Sequence, residues 1–473
     1  MTQFSRRQFL ENSMFAAAAA ATAGGAPKLL LGAEEKQSKS ANDRLGVAVI
    51  GVKGRGDEHL RSYGNTDKYN IEVTYICDTD TQWGMKRVAE TEKRQGRAPK
   101  FVQDLRQVFD DPAVDVVSIA TPNHWHALAA IWAIQAGKDV YVEKPVSHNV
   151  SEGRRIVEAA RKHQKICQTG TQCRSMAGTI EAIEYVKAGK IGQVKVGRGL
   201  CYKPRGSIGP KGEYAAPSTV NYDIWLGPAP KKPVTRKQFH YDWHWFWDYG
   251  NGDLGNQGIH QMDIARWGLG VDGLSKGVLS YGGRFGYEDS GETANSQTVI
   301  HDYGDKSLVF EVRGLSTEPL RGAKVGVIFE GSEGFVVLTS YDGGAAFDLN
   351  GKMVKTFKGG GDHFGNFFTA VRSRSISDLN ADIEQGHLSS ALCHLGNISY
   401  LLGEQVAFAE VPDRLKDYAG AEGDYERFSR HLTDNKVNLE STPIRLGASL
   451  KLDSAAEKFV GNSQADAMLT REY

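Results

Sequence analysis

Between Arg44 and Thr169, short apolar runs take turns with segments whose apolar residues recur at helical spacing. The runs predict strands at Leu45–Ile50, Ile71–Cys77, Val114–Ala120, Asp139–Val142 and Ile166–Thr169. Helices are expected between them, as at His124–Ala136 and Ser151–His163. Strand–helix alternation predicts a parallel, doubly wound sheet over residues 44–169, an α/β domain. After Gln172 the pattern changes. A helix at Met176–Ala188 precedes an alternating segment, Lys195–Tyr202, and then a loop-rich insert from Lys203 to Gly250. Strands follow at Gly277–Gly283, Asn295–Asp302, Ser307–Leu315, Lys324–Glu330 and Gly334–Thr339, and helices at Asp362–Arg374 and His387–Leu402. Tight turns between neighbouring strands predict an open, largely antiparallel sheet in an α+β domain over residues 170–473, with one face of the sheet free.

The first 43 residues stand outside this pattern. Ser5-Arg-Arg-Gln-Phe-Leu10 resembles the twin-arginine export signal, and an alanine-rich run from Met14 to Ala23 follows it. That run is too short to span a bilayer as a stable helix. Residues 1–33 are therefore expected to be a signal peptide and 34–43 a polar linker, which implies a periplasmic protein. Acids and bases balance at 57 each, so no global field draws nucleic acid or an anionic membrane. The five cysteines form neither a metal-like cluster nor a disulfide framework; Cys77 and Cys167 lie in apolar runs as core residues.

The turn after the first strand carries chemistry. In Val47-Ala-Val-Ile-Gly-Val-Lys-Gly-Arg-Gly56, Gly51 and Gly56 occupy the first and third positions of a dinucleotide fingerprint. Lys53 holds the second, with Gly54 and Arg55 after it. Either the turn shifts so that Gly54 approaches the pyrophosphate, or Lys53 itself reaches a phosphate. Asp78 closes the second strand and would bond the adenosine ribose, favouring NAD over NADP, with Arg55 leaving room for NADP. Glu143-Lys-Pro145 ends a later strand, where open α/β sheets place their ligands.

Together the glycine turn, Asp78, Thr121-Pro-Asn-His124 and Glu143-Lys-Pro145 resemble the glucose-fructose oxidoreductase / inositol dehydrogenase / rhizopine-catabolism family, and so a Rossmann domain. The resemblance implies that Lys144 is catalytic beside a nicotinamide, with Glu143 next to it. It also implies that Thr121, Pro122, Asn123 and His124 form the loop beneath that end of the cofactor, while His126 faces elsewhere. Gly252-Asp-Leu-Gly-Asn-Gln-Gly-Ile-His-Gln-Met-Asp263 resembles the family's second-domain motif, with His260 as a second catalytic candidate and Asn256 where the family has aspartate. Asn256 and His260 are expected to share one helix face and the substrate, and Asp263 to orient the imidazole or touch substrate. Gln172 and Arg174 face the same cleft in the family and are expected to meet sugar hydroxyls.

Phe239–Tyr249 packs seven aromatic rings, besides its histidines, into eleven residues. Some, Tyr241 and Trp243 among them, are expected to form a sugar platform and others a core. The expected function is hydride transfer between a tightly bound NAD and a hydroxyl of a sugar, glycoside or cyclitol, without a metal. The resemblance adds a homo-oligomer, dimer or tetramer, paired through the second sheet. Two alternatives stand beside it: redox-neutral glycoside cleavage through transient C3 oxidation, and a non-catalytic sugar-binding protein.

Overall fold

Six strands form the first sheet: β1 (Leu45–Ile50), β2 (Ile71–Cys77), β3 (Lys100–Val102), β4 (Val116–Ile119), β5 (Asp139–Val142) and β6 (Cys167–Thr169). All are parallel, in the order β3-β2-β1-β4-β5-β6. The computed structural model describes residues 41–472 apart from Asn65, Asp417, Ala419, Gly420 and Glu422. The twin-arginine segment therefore lies outside the described residues. β3 escapes sequence reading because three residues carry too little pattern.

Helices α1 (Arg55–Tyr63), α2 (Thr81–Gln95), α3 (Asn123–Gln135) and α4 (Val150–Lys162) connect these strands. β1 is an unbroken apolar run because both its faces are covered. Ala48 and Ile50 pack towards α3, whose alanines admit a close approach, while Val47 and Val49 pack with Tyr63, Phe367 and Phe368. The two phenylalanines come from a helix almost 200 residues after the sheet ends, so the later half of the chain completes the first core.

Register decides what shares an edge. Ile50 pairs with both Cys77 and Ile119, and Val142 pairs with both Ile119 and Thr169. Gly51, Asp78, Ala120, Glu143 and Gly170 therefore follow at one level along the carboxyl edge. The strand order reverses between β1 and β4, which opens a crevice at that edge.

The second sheet is mixed and mostly antiparallel. It runs β14-β13-β12-β11-β7-β10-β9-β8-β16-β15, and only β7 and β10 pair in parallel along that path. Its central strands are β7 (Val194–Tyr202), β8 (Gly277–Gly283), β9 (Ser296–Asp302), β10 (Ser307–Arg313), β11 (Val325–Gly331) and β12 (Gly334–Ser340). Beyond the predicted strands come β13 (Gly343–Asp348), β14 (Met353–Lys358), β15 (Glu404–Val406) and β16 (Ile444–Leu446).

One face packs on α5 (Ala177–Lys187), α6 (Ile259–Leu269) and α8 (Ile383–Leu401); α7 (His363–Ser373) is the helix that returns to the first sheet. The free face expected from the sequence is only partly there. Leu279, Tyr281, Ile300 and Val309 on β8–β10 lie under Phe408, Phe428 and Leu432, because their outward positions are as apolar as the inward ones. The stacked Phe335–Phe347 pair, 4.9 Å between centroids, marks the more open part on β12 and β13. Among the described residues, no helix is long and apolar enough to cross a membrane.

Candidate active site

A cavity of about 320 Å3 runs along the carboxyl edge of the first sheet. The glycine-rich turn forms one wall. Gly51 has φ +79°, and a Cβ there would sit 2.8 Å from the Ala120 carbonyl. A Cβ on Gly56 would lie 1.8 Å from Gly51 O, so α1 can close on β1 only with glycine. At Gly54, the N-cap of α1, a Cβ would meet nothing within 4 Å. That open space over a helix N-terminus fits a pyrophosphate. Of the two positions left open for this turn, Gly54 is the one with free space above it. Lys53 lines the cavity but turns its ammonium over the Trp83 ring, 4.9 Å from the centroid.

Asp78 accepts from Val52 N at 2.7 Å and Asp80 N at 2.9 Å, which binds the turn to the end of β2. Burial pushes its carboxyl up to about 6, against those two N–H donors. Each oxygen keeps a second lone pair for a ribose hydroxyl. Thr121 also lines the cavity, and its buried Oγ1 has no partner among the described residues.

Glu143 is the hub. Its carboxylate accepts from Arg55 Nε (2.8 Å), His59 Nε2 (3.0 Å) and Gln172 Nε2 (3.2 Å). Burial opposes its charge, yet Arg55 and His59 outweigh burial and hold it well below the usual carboxylate range. Because Glu143 can only accept, His59 carries its proton on Nε2, and Nδ1 accepts from Ser118 Oγ at 2.8 Å. Ser118 Oγ in turn accepts from Tyr63 OH at 2.8 Å. Every donor in this buried chain points towards Glu143.

Lys144 Nζ crosses to the second domain and donates to the Asn256 carbonyl at 2.5 Å. Enclosure lowers its pKa, and Glu143 offsets that only in part. Asn256 lies in a π-helical turn, Leu254–Gly258, that runs into α6. Such turns shift the helix phase. This corrects the expectation that Asn256 and His260 share a face: the Asn256 amide leans on Asp253 Oδ1 (3.4 Å), and Asp253 pairs with Arg205 (2.7 Å). His260 instead packs on Tyr341, with 5.0 Å between ring centroids. Its Nδ1 is buried without a partner among the described residues, and burial, then the charge of Lys144, keep it neutral.

Several expected contacts fall elsewhere. Arg174 and Asp263 bond each other through two oxygens at 2.8 Å, and Ser389 adds a third donor to Asp263. Both are buried, and together they tie α6 to the domain junction. His124 is turned away, with its Nε2 on Trp225 O at 2.9 Å. It is His126, expected to face elsewhere, that lines the cavity, its two ring nitrogens 2.7 Å from Thr121 O and 2.6 Å from Pro145 O; burial keeps the ring neutral, so it donates to one of the two carbonyls. The difference is one of helix phase: two residues apart on α3, the rings leave the helix in different directions, and His124 packs against Trp225 and Tyr249. Asn123 bonds Asn251 across the domains at 3.0 Å and lines the cavity with Pro122.

Sequence reading missed the roof. The insert folds over the groove and is stitched to it: Asn221 N to Thr79 O (2.9 Å), Thr81 N to Thr219 O (3.0 Å) and His240 Nε2 to Asp80 (2.9 Å). Trp125 Nε1 bonds Ile224 O at 3.0 Å on the opposite side. Most aromatics of the insert form their own core around the buried Arg236, which stacks 4.5 Å from both Trp225 and Phe239. Trp243 belongs largely to that core, though its edge and the exposed Tyr241 reach the cavity. The one available signal was Asp80 itself, an N-cap residue whose second oxygen needed a partner.

Comparison with known proteins decides the family. A model described as "Oxidoreductase family, NAD-binding Rossmann fold" matches residues 45–171, and its companion C-terminal alpha/beta domain matches residues 210–431. The chain belongs to the glucose-fructose oxidoreductase / inositol dehydrogenase / rhizopine-catabolism family. Relatives include a levoglucosan dehydrogenase of Pseudarthrobacter phenanthrenivorans, 28% identical over 50% of this chain and 54% of that protein. Others are a glycosyl hydrolase family 109 protein of Shewanella pealeana (29% identical; 32% of this chain, 34% of that protein) and an inositol 2-dehydrogenase of Salmonella typhimurium (29%; 33% and 46%). The matches thus span from a third to about half of these relatives. A solved levoglucosan dehydrogenase, in complex with NADH and levoglucosan, shares the fold at TM-score 0.57 and 20% identity, covering 75% of this chain and 96% of that one.

In a protein of this family the bound nicotinamide dinucleotide supplies the hydride chemistry. Gly54, Asp78 and Thr121 are the residues that would hold it here. Lys144, when neutral, can take a hydroxyl proton on Nζ while one N–H stays on Asn256 O. His260, held neutral far below its ordinary pKa, can accept a hydrogen bond but is the weaker base. Among the described residues, no group of three or more histidine, cysteine, aspartate or glutamate side chains is placed to hold a metal ion.

Proposed function

We propose that this protein is an NAD-dependent oxidoreductase acting on a carbinol of a sugar, glycoside or cyclitol, with a cofactor that stays bound between turnovers. The observation that carries the reading is the single cavity that joins the glycine turn and Asp78 to Lys144 and Asn256. Lys144 is the proton acceptor and His260 a hydrogen-bond partner of the reacting hydroxyl. The roof supports retention: cofactor release requires the insert to part from Thr79–Thr81 and from Trp125. Asp78 supports NAD, since its buried carboxylate would repel a 2′-phosphate. The names of the levoglucosan and inositol dehydrogenases support the substrate class. The paired arginines at Arg6 and Arg7 support export to the periplasm, where a retained cofactor is an advantage. A homo-oligomer would use the outer face of β11–β14, the part left open by the covering of β8–β10.

The test uses protein purified without added cofactor. Denaturation should release a nicotinamide nucleotide, and the native enzyme should gain absorbance at 340 nm with a member of a sugar, glycoside and cyclitol panel. Absence of nucleotide, with none taken up, would overturn the proposal. The same roof also suits redox-neutral glycoside cleavage, in which the reduced cofactor never leaves. Cleaved glycoside with no net absorbance change would place that reading first.

A further inference from the structure

The two most exposed aromatic side chains among the described residues are Tyr241, 47% exposed, and Tyr341, 39% exposed. The other large apolar side chains as open as these are aliphatic. Tyr241 lines the cofactor cavity together with Lys144 and Asn256. Tyr341 lies outside that lining, in the turn between β12 and β13, against His260.

Tyr341 is rigidly held despite its exposure. Its carbonyl accepts from Thr179 Oγ1 at 2.8 Å, and its hydroxyl accepts from Gln257 Nε2 at 2.9 Å. The next residue's carbonyl, Asp342 O, would be only 2.0 Å from a Cβ on Gly178, so α5 presses on this turn with bare backbone. An exposed ring fixed at both ends loses little entropy on binding and presents a flat apolar face. Lys144 rests on the Asn256 carbonyl, while the next residue, Gln257, holds the Tyr341 hydroxyl and His260 packs on its ring. A sugar with its reacting carbinol at Lys144 would therefore extend its next ring towards Tyr341.

Resting on the proposed hydride transfer, we propose that the substrate is a glycoside of at least two rings, and that Tyr341 is the platform for the second. The reacting pyranose lies at Lys144 and Asn256, and the apolar face of the aglycone or second sugar packs on Tyr341. Gln257 fixes the tilt of the platform. Free monosaccharides and cyclitols would leave it bare.

The test compares phenyl with methyl glycosides of glucose, galactose, mannose and N-acetylglucosamine on the enzyme with its bound nucleotide. Turnover is read at 340 nm, and affinity separately by calorimetric titration. The phenyl member of the preferred pair should bind about tenfold tighter, the scale of one aromatic platform. The difference should appear in KM more than in kcat. Tyr341→Ala should bring the phenyl-to-methyl ratio to about one, while Tyr341→Phe should keep most of it. A ratio unchanged in Tyr341→Ala, or equal affinities in the parent enzyme, overturns the assignment. Titration distinguishes the two failures: a Tyr341-dependent ratio without any redox change or cleavage would remove the hydride-transfer reading and leave the platform standing.

Discussion

His59 offers the sharpest test of how the Glu143 hub is built. Its ring is fully buried, edge-on to Tyr141 at 5.1 Å and Phe364 at 5.3 Å. His59→Leu keeps much of that apolar contact but removes a hydrogen bond to an ionised carboxylate, worth about 1.5–3 kcal/mol. It also strands the Ser118 hydroxyl, at a cost of about 1–3 kcal/mol for a buried donor. The better apolar packing of leucine returns part of this, so a net loss of about 3 kcal/mol is expected. His59→Gln can donate to Glu143 and accept from Ser118 at once, so it should lose no more than about 1 kcal/mol. Urea unfolding at pH 7.5, with the same nucleotide occupancy in each variant, measures both. With the denaturant slope unchanged, the midpoint shift reports the loss. A leucine variant within about 0.5 kcal/mol of the parent, or a glutamine variant as unstable as leucine, would falsify the directed chain from Tyr63 to Glu143.

Four further outcomes are expected. Lys144→Met should slow single-turnover hydride transfer by about 10²–10⁴-fold with nucleotide content unchanged; a fall of less than tenfold would remove Lys144 as proton acceptor. His240→Ala deletes one stitch of the roof, about 1–1.5 kcal/mol, and should speed nucleotide loss on dilution about tenfold; an unchanged rate would show that the roof does not hold the cofactor. Asp78→Asn should weaken NAD retention, and retention by the parent should decline as pH falls through about 6, where the Asp78 carboxylate becomes protonated; retention flat to pH 5 would contradict its role. Burial holds His124, His301 and His394 down to about 3 and His363 to about 4. Above the unfolded value of about 6.5 neither state is protonated, so the contribution to stability is full. Below it the unfolded chain takes up protons that the folded chain refuses, and stability falls by about 1.4 kcal/mol per pH unit for each histidine. The urea midpoint should drop steeply between pH 6.5 and 5, and a flat profile would refute the burial of neutral imidazoles.

The alternation of strand and helix was legible because parallel strands covered on both faces leave unbroken apolar runs, as in Leu45–Ile50, between helices with one apolar face. Gly51, Asp78 and Lys144 could be found for a related reason: each follows the end of a strand, and strand ends in such a sheet converge at one edge. Local pattern failed where partners are distant in sequence. Arg174 and Asp263 look like ligand contacts until the fold brings them together and each satisfies the other. His124 and His126 differ only in helix phase. Asn256 was read through an ideal α-helix, whereas the π turn sends its carbonyl, not its amide, to Lys144.

Composition and periodicity alone determined that this chain holds a doubly wound nucleotide domain followed by a second sheet, and that a lysine stands at the ligand edge. Those are short-range properties, written in apolar spacing and in where glycine and acid interrupt it. Tertiary structure decided the rest: the insert closing over the groove, the chain of donors behind Glu143, the covered outer face of β8–β10 and the exposed Tyr341. Each depends on two segments far apart in sequence meeting at a distance of a few ångströms, and no periodicity within either segment encodes that meeting.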